Sequence, residues 1–128
     1  MRIVIDTNIL ISAAFYAGFV KKFLDDLGAK NFTICGNSEI VEEYYSTKDK
    51  MISKKLGNFN AKIFDDFVNK VKNFEIKSDL KVCRDKKDDK FINCAIDAKA
   101  IYIVSGDKDL LTLKNFAEIE IVTAKDFY

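Results

Sequence analysis

Four acidic residues of this chain stand next to element boundaries: Asp6, Glu43, Asp88 and Asp107. The run Met1-Arg2-Ile3-Val4-Ile5-Asp6-Thr7-Asn8 reads as an apolar strand that ends abruptly in a carboxylate. Near the other end of the chain, Ile101-Tyr102-Ile103-Val104-Ser105-Gly106-Asp107 repeats that design. In open α/β sheets, ligands bind beyond the carboxyl ends of the strands. Two strands that deliver acids to one edge build an anionic pocket, and clustered carboxylates repel one another unless a cation or protons intervene. Oxygen donors of this kind suit hard divalent ions. The chain has no histidine, which removes His-based acid–base catalysis, nucleophile triads built on His, and ordinary zinc sites. Carboxylates, lysines, hydroxyls and thiols are what remains for chemistry.

Each acid also has a purely structural reading. Asp6 stands where a helix cap belongs, although Thr7 and Asn8 are equally able to cap. Asp107 lies in Ser105-Gly106-Asp107-Lys108-Asp109, where Gly106 permits a tight turn; Asp109 either shares metal duty or caps the short helix that follows. Asp88 is flanked by Asp85 and Asp89, and one of the three is expected to cap the next helix or pair with its macrodipole. Three acids compete in the second helix: Glu39, Glu42 and Glu43. At about 100° per residue, a buried face centred on Ile40 and Tyr44 favours Glu43, but an inward Tyr45 makes Glu42 nearly equivalent. Lys48, Lys50, Lys54, Lys55, Lys86, Lys87 and Lys90 either keep a face solvated or hold a polyanionic backbone beside the pocket.

The elements that must position these groups alternate. Residues 2–5 form a strand buried on both faces. A helix then carries Ile9, Leu10, Ala13, Ala14, Val20, Phe23, Leu24 and Leu27, with Gly28 as its stop. Asn31–Cys35 is a short strand, Gly36-Asn37-Ser38 a turn and cap, and a second helix runs from about Glu39 into 48–50 with Ile40, Val41 and Tyr44 inward. A third helical pattern spans about 61–71, presenting Ile63, Phe64, Phe67, Val68 and Val71. A weak strand at 74–76, a charged loop at 83–90, and a helix carrying Phe91, Ile92, Cys94, Ala95 and Ala98 follow. Strand 101–104, a helical turn at 108–113, strand 119–122 and a last turn near 124–127 complete the chain. Strand–helix alternation predicts a parallel sheet with right-handed crossovers.

The 128 residues suit one domain with a single core. An apolar fraction of 48% with 32% charged residues fits a soluble globular protein. Basic and acidic residues nearly balance at 21 and 20, so any nucleic-acid contact must come from local basic patches. No apolar run approaches the roughly 20 residues of a membrane span, and the start lacks the pattern of a signal peptide. Cys35, Cys83 and Cys94 are odd in number and widely spaced, which points to reduced thiols and a cytoplasmic setting.

With Asp6-Thr7-Asn8, Ser38 through Glu43-Tyr44, Arg84-Asp85 followed by Asp88-Asp89-Lys90-Phe91, and Ser105-Gly106-Asp107-Lys108-Asp109-Leu110-Leu111 together, the chain resembles a PIN domain. It is most similar to the prokaryotic PIN-domain toxins of toxin–antitoxin pairs, and the resemblance runs over essentially the whole chain. It implies a three-layer α/β/α sandwich with a central parallel sheet of about five short strands, and a Mg²⁺- or Mn²⁺-dependent endoribonuclease acting on RNA phosphodiesters. By motif, the catalytic acids fall on Asp6, Glu43, Asp88 and Asp107, with Asp6, Asp88, Asp107 and the auxiliary Asp109 as metal ligands. Thr7 and Asn8 resemble the polar companions that orient the first acid, and Ser105 stands where the family often has threonine. Lys86 replaces a frequent proline; neither departure removes a ligand. A cognate antitoxin and homodimerisation are further implications.

Rival readings fit less well. A phosphatase with an aspartyl-phosphate intermediate wants a second Asp where Asn8 stands, and a receiver domain wants a second acid beside Asp6. A non-catalytic PIN-like module that binds RNA or protein is the alternative, and the retained acids argue against it.

Overall fold

A computed structural model of the chain describes residues 1–15, 19–55 and 57–127, apart from the side chains of 19–21 and 28. Its strands are β1 (Arg2–Ile5), β2 (Thr33–Gly36), β3 (Val71–Asn73), β4 (Tyr102–Val104), β5 (Asn115–Phe116) and β6 (Ile119–Val122). They form one sheet in the order β3-β2-β1-β4-β6-β5. Every pairing is parallel except that of β5 with β6. The helices are α1 (Thr7–Phe15), α2 (Phe19–Ala29), α3 (Ser38–Ser53), α4 (Ala61–Val68), α5 (Asp89–Ala98), α6 (Lys108–Leu113) and α7 (Ala124–Phe127), with a 3₁₀ turn at Lys86–Asp88. Among the described residues, no helix is long and apolar enough to cross a membrane.

Ile3, Val4 and Ile5 are fully buried; β-branched chains of this kind fit a strand covered on both faces. The chain builds outward from β1 to β2 and β3, then returns through α5 to β4 on the other side of β1. Right-handed crossovers then set α1–α4 on one face of the sheet and α5 and α6 on the other. Helix α5 packs on β1, β2 and β4, whereas α1, α2, α3 and α4 pack on one another. The reversal of strand order between β1 and β4 opens a crevice at their carboxyl ends. Ile5 pairs with Val104, so Asp6 and Ser105 leave the sheet side by side. The Asp6 N–H still donates to the Val104 carbonyl at 2.9 Å, which fixes where the acid emerges.

Several sequence expectations shift. The sheet, expected to have about five strands, has six, with an antiparallel edge. The first helical stretch is described as α1 and α2 on either side of residues 16–18, which lie outside the described residues, as does the Val20 side chain; α2 passes Gly28 to end at Ala29. The third helix stops at Val68, and Val71 belongs to β3, which pairs Ile34 with Val71. That strand replaces the one expected at 74–76, because pairing with β2 outweighs the weak local preference of Val71-Lys72-Asn73. Asn31 adopts a positive φ of 61° and lies outside β2, which runs to Gly36 instead of Cys35. A Cβ on Gly36 would sit 2.6 Å from Val71 Cγ1, so glycine permits the close β2–β3 approach.

Candidate active site

Asp6 is nearly buried at 4% exposure in the β1/β4 crevice. Ser105, itself fully buried, donates its hydroxyl to Asp6 Oδ2 at 2.6 Å and accepts the Asp107 N–H at 2.9 Å. One serine thus ties the acid of β1 to the acid that follows β4. The Asn8 backbone N–H also donates to Asp6, while the Asn8 side chain is exposed. Asp6 therefore occupies the boundary position of α1, where Thr7 or Asn8 had been the alternatives. Thr7 turns its hydroxyl to Glu43 instead of to Asp6.

Helix α3 disposes its three acids differently. Its N-cap Asn37 accepts the Ile40 N–H at 2.9 Å, setting the helix phase. Tyr44 is fully buried and donates to the Ile5 carbonyl of β1, whereas Tyr45 is 40% exposed. That difference turns Glu43 toward the crevice and leaves Glu39 and Glu42 exposed. Glu43 has both oxygens engaged: Oε2 by Thr7, and Oε1 by Lys90 Nζ at 2.6 Å. Sequence reasoning offered Lys90 either a solvated face or a polyanionic backbone to hold, and not Glu43 as its partner; its position two residues after Asp88 was the available signal.

The acids ahead of α5 also separate by role. Asp85 caps the 3₁₀ turn through the Lys87 N–H at 3.0 Å. Asp89 accepts the Val82 and Cys83 N–H groups at 3.0 and 2.7 Å. Burial opposes its ionisation, but those donors outweigh it and hold Asp89 below the usual carboxylate range. Asp88 precedes α5 without making a side-chain cap. Its Oδ2 is buried, and no donor among the described residues reaches it. Asp107 caps α6 by accepting the Asp109 N–H at 2.9 Å. Asp88, Asp107 and Asp109 each offer a carboxylate oxygen, all within 4.8 Å of one another. Asp109 is thus turned into this cluster, while capping falls to Asp107. Asp6 and Glu43 stand outside that tight trio; the charge of Asp6 reaches Asp88, and that of Glu43 reaches Asp6.

The electrostatics follow from this crowding. Burial, with the charges of Asp107 and Glu43, pushes Asp6 up to about 6 against the relief given by Ser105 and Asn8. Burial likewise pushes Asp88 up to about 7, helped by the charge of Asp107, a proton-sharing contact with it, and the charge of Asp6. A neutral-pH site that holds carboxylates at this cost is matched to a cation. The donor set is all oxygen and anionic, and one buried oxygen lacks a donor, which fits Mg²⁺ or Mn²⁺. The thiols offer no rival nucleophile. Cys35 and Cys94 are buried, and burial pushes Cys83 and Cys94 up to about 12, so both remain protonated at neutral pH.

Comparison with known proteins adds to this geometry. A family model described as a PIN domain matches residues 2–109. An uncharacterised protein of Methanocaldococcus jannaschii is 33% identical over 139 aligned positions, which cover 99% of this chain and 89% of that protein. A chain in the crystal structure of VapBC2 from Rickettsia felis, bound to a DNA fragment from its promoter, superposes with a TM-score of 0.66. That superposition covers 94% of this chain and 97% of the other at 19% identity, a likeness of fold.

Proposed function

The chain belongs to the PIN-domain family, and from that premise we propose that it is a divalent-metal-dependent endoribonuclease, the toxin of a toxin–antitoxin pair. The observation that carries the reading is the buried, donorless Asp88 Oδ2 among carboxylates gathered at the β1/β4 switch point. Asp88, Asp107 and Asp109, with Asp6 beside them, are the residues that would hold Mg²⁺ or Mn²⁺. Such an ion supplies Lewis-acid polarisation of a phosphoryl oxygen and a water activated at neutral pH.

The protein's own residues prepare that chemistry. Ser105 fixes Asp6 and Asp107 in one frame, so the two acids cannot drift apart as charge is brought between them. Thr7 and Lys90 hold Glu43 at the rim, where its carboxylate can orient a water or a ribose hydroxyl. Because Lys90 is committed to Glu43, it does not neutralise Asp88 and Asp107. Ionisation of Asp88 at neutral pH is left to depend on an added cation. An in-line phosphodiester hydrolysis needs this combination of positioning and charge compensation, and needs no covalent intermediate on the protein.

A cognate antitoxin that covers the acid pocket, a homodimeric assembly and a cytoplasmic setting belong to the same proposal. The match to a VapBC2 complex supports the antitoxin at the level of fold. The test is cleavage of a mixed single-stranded RNA panel with Mn²⁺ or Mg²⁺, beside EDTA and Asp6→Asn controls. Cleavage that needs the metal and is lost in Asp6→Asn supports the reading. Absence of cleavage together with absence of metal uptake by calorimetry overturns it.

A further inference from the structure

We propose that the segment 77–86, anchored along α5, forms with Lys90 a fixed cationic track for the backbone of single-stranded RNA, leading into the acid pocket. The inference rests on the ribonuclease reading for the identity of the polyanion and on separate observations for the site. After β3 the chain has no regular structure until the 3₁₀ turn, yet it is tied down along its length. Asp97 accepts the Lys77 N–H at 2.9 Å and the Ser78 hydroxyl at 2.6 Å. Asn93 accepts the Leu80 N–H at 2.8 Å and donates to the Leu80 carbonyl at 3.1 Å. Asp89 accepts the Val82 and Cys83 N–H groups. Asp89, Asn93 and Asp97 recur every fourth residue, so they make one stripe along α5. The segment therefore runs antiparallel to the helix as an anchored strip.

What the strip presents is basic. Lys77, Lys81, Arg84 and Lys86 are exposed and, with Lys90, line a groove of about 660 Å³ whose opposite wall includes Asn37 and Glu39 at the start of α3. Two of the acids on α5 are already satisfied: burial opposes ionisation of Asp89 and Asp97, but backbone N–H groups hold both below the usual carboxylate range. Their charge is spent on the strip itself. Glu39 and Asp79 are the other acids lining the groove, so four cations, besides the Lys90 paired with Glu43, face two acids without such donors. From Asp97 to Asp89 the stripe rises roughly 12 Å at about 1.5 Å per residue. That length accommodates about three phosphates of a stacked strand at roughly 3.4 Å per nucleotide. The track ends at Lys90, whose Nζ reaches Glu43, and so meets the acids at the point where a scissile phosphate would sit. Positive grooves that follow a single-stranded backbone are a common solution for sequence-tolerant binding.

The test is fluorescence anisotropy of a labelled single-stranded RNA of about 12 nucleotides, in EDTA, from about 50 to 200 mM salt, a probe length within known site sizes. The proteins are wild type, the triple variant Lys77→Ala/Lys81→Ala/Arg84→Ala, and a control of equal charge, Lys30→Ala/Lys99→Gln/Lys114→Gln. Lys30 and Lys99 precede the amino-terminal ends of β2 and β4, Lys114 precedes the edge strand β5, and none of the three lines the groove. Each lost phosphate contact lowers the slope of log affinity against log salt by about 0.7, so the track variant should lose about 2. Its affinity deficit relative to wild type should then narrow about 20-fold across that salt range. The control should keep the wild-type slope. An unchanged slope in the track variant, an equal loss in the control, or no RNA binding by wild type overturns the track. Salt-sensitive binding through the track without metal-dependent cleavage would leave the track standing and remove the nuclease.

Discussion

Replacing Asp88 with asparagine should make the metal-free protein more stable while abolishing its use of metal. Asp88 is pushed from its ordinary 3.8 up to about 7 by burial and by Asp107 and Asp6. Because the folded value is the higher one, the native state keeps a proton that the unfolded state has lost between those two values. Stability contributed by that proton is lost as pH rises through this window. For a shift of this size, the group costs the fold about 4 kcal/mol at pH 7.5 and about 2 kcal/mol at pH 5. Asparagine has nearly the same shape and no charge, so it escapes the cost at both pH values. The gain is smaller than the full figure because Asp6 and Asp107 share the same repulsion; about 2–4 kcal/mol at pH 7.5 is expected, or roughly 6–12 °C in Tm for a chain of this size. Thermal unfolding in EDTA at pH 5 and pH 7.5 reads it directly, and the gain should at least halve at the lower pH. A variant that is neutral or destabilised at pH 7.5, or equally stabilised at both, would refute the electrostatic account of the pocket.

Mn²⁺ at about a hundred times its Kd should stabilise wild type by about 2.7 kcal/mol and leave Asp88→Asn unmoved, as followed by Tm. Tyr44→Phe removes a buried hydroxyl from the Ile5 carbonyl and should cost about 1–2 kcal/mol in denaturant unfolding, with cleavage falling because α3 carries Glu43. An undiminished stability would mean the hydroxyl is not the anchor. Gly36→Ala drives a Cβ into Val71 Cγ1 and should cost about 1–3 kcal/mol, measurable as a lower urea midpoint.

Two of the acids were legible because their elements are. Strands β1 and β4 are short and built on buried Ile and Val; Asp6 directly follows β1 and Asp107 stands three residues past Val104, so the sheet edge delivers them. Glu43 was only favoured, since the helix wheel turned on whether Tyr45 is buried, and its 40% exposure is set by tertiary packing. Asp85, Asp88 and Asp89 have the same chemistry within five residues of chain. Their separation into a turn cap, a donorless carboxylate and a loop anchor depends on where segment 77–83 lies against α5. Strand β3 was misplaced because Val71-Lys72-Asn73 has little strand character of its own. Strand β5 is two residues long and leaves no periodicity to read. The alternation of elements along the chain, by contrast, was enough to predict the parallel α/β sheet.

We propose that this carboxylate pocket is a metal centre for RNA cleavage. It is tested most directly by assaying single-stranded RNA cleavage by wild type and Asp88→Asn side by side with Mn²⁺. The account predicts metal-dependent cleavage by wild type and none by a variant that is folded and more stable. Cleavage by Asp88→Asn at the wild-type rate, or cleavage by wild type that persists in EDTA, would contradict it.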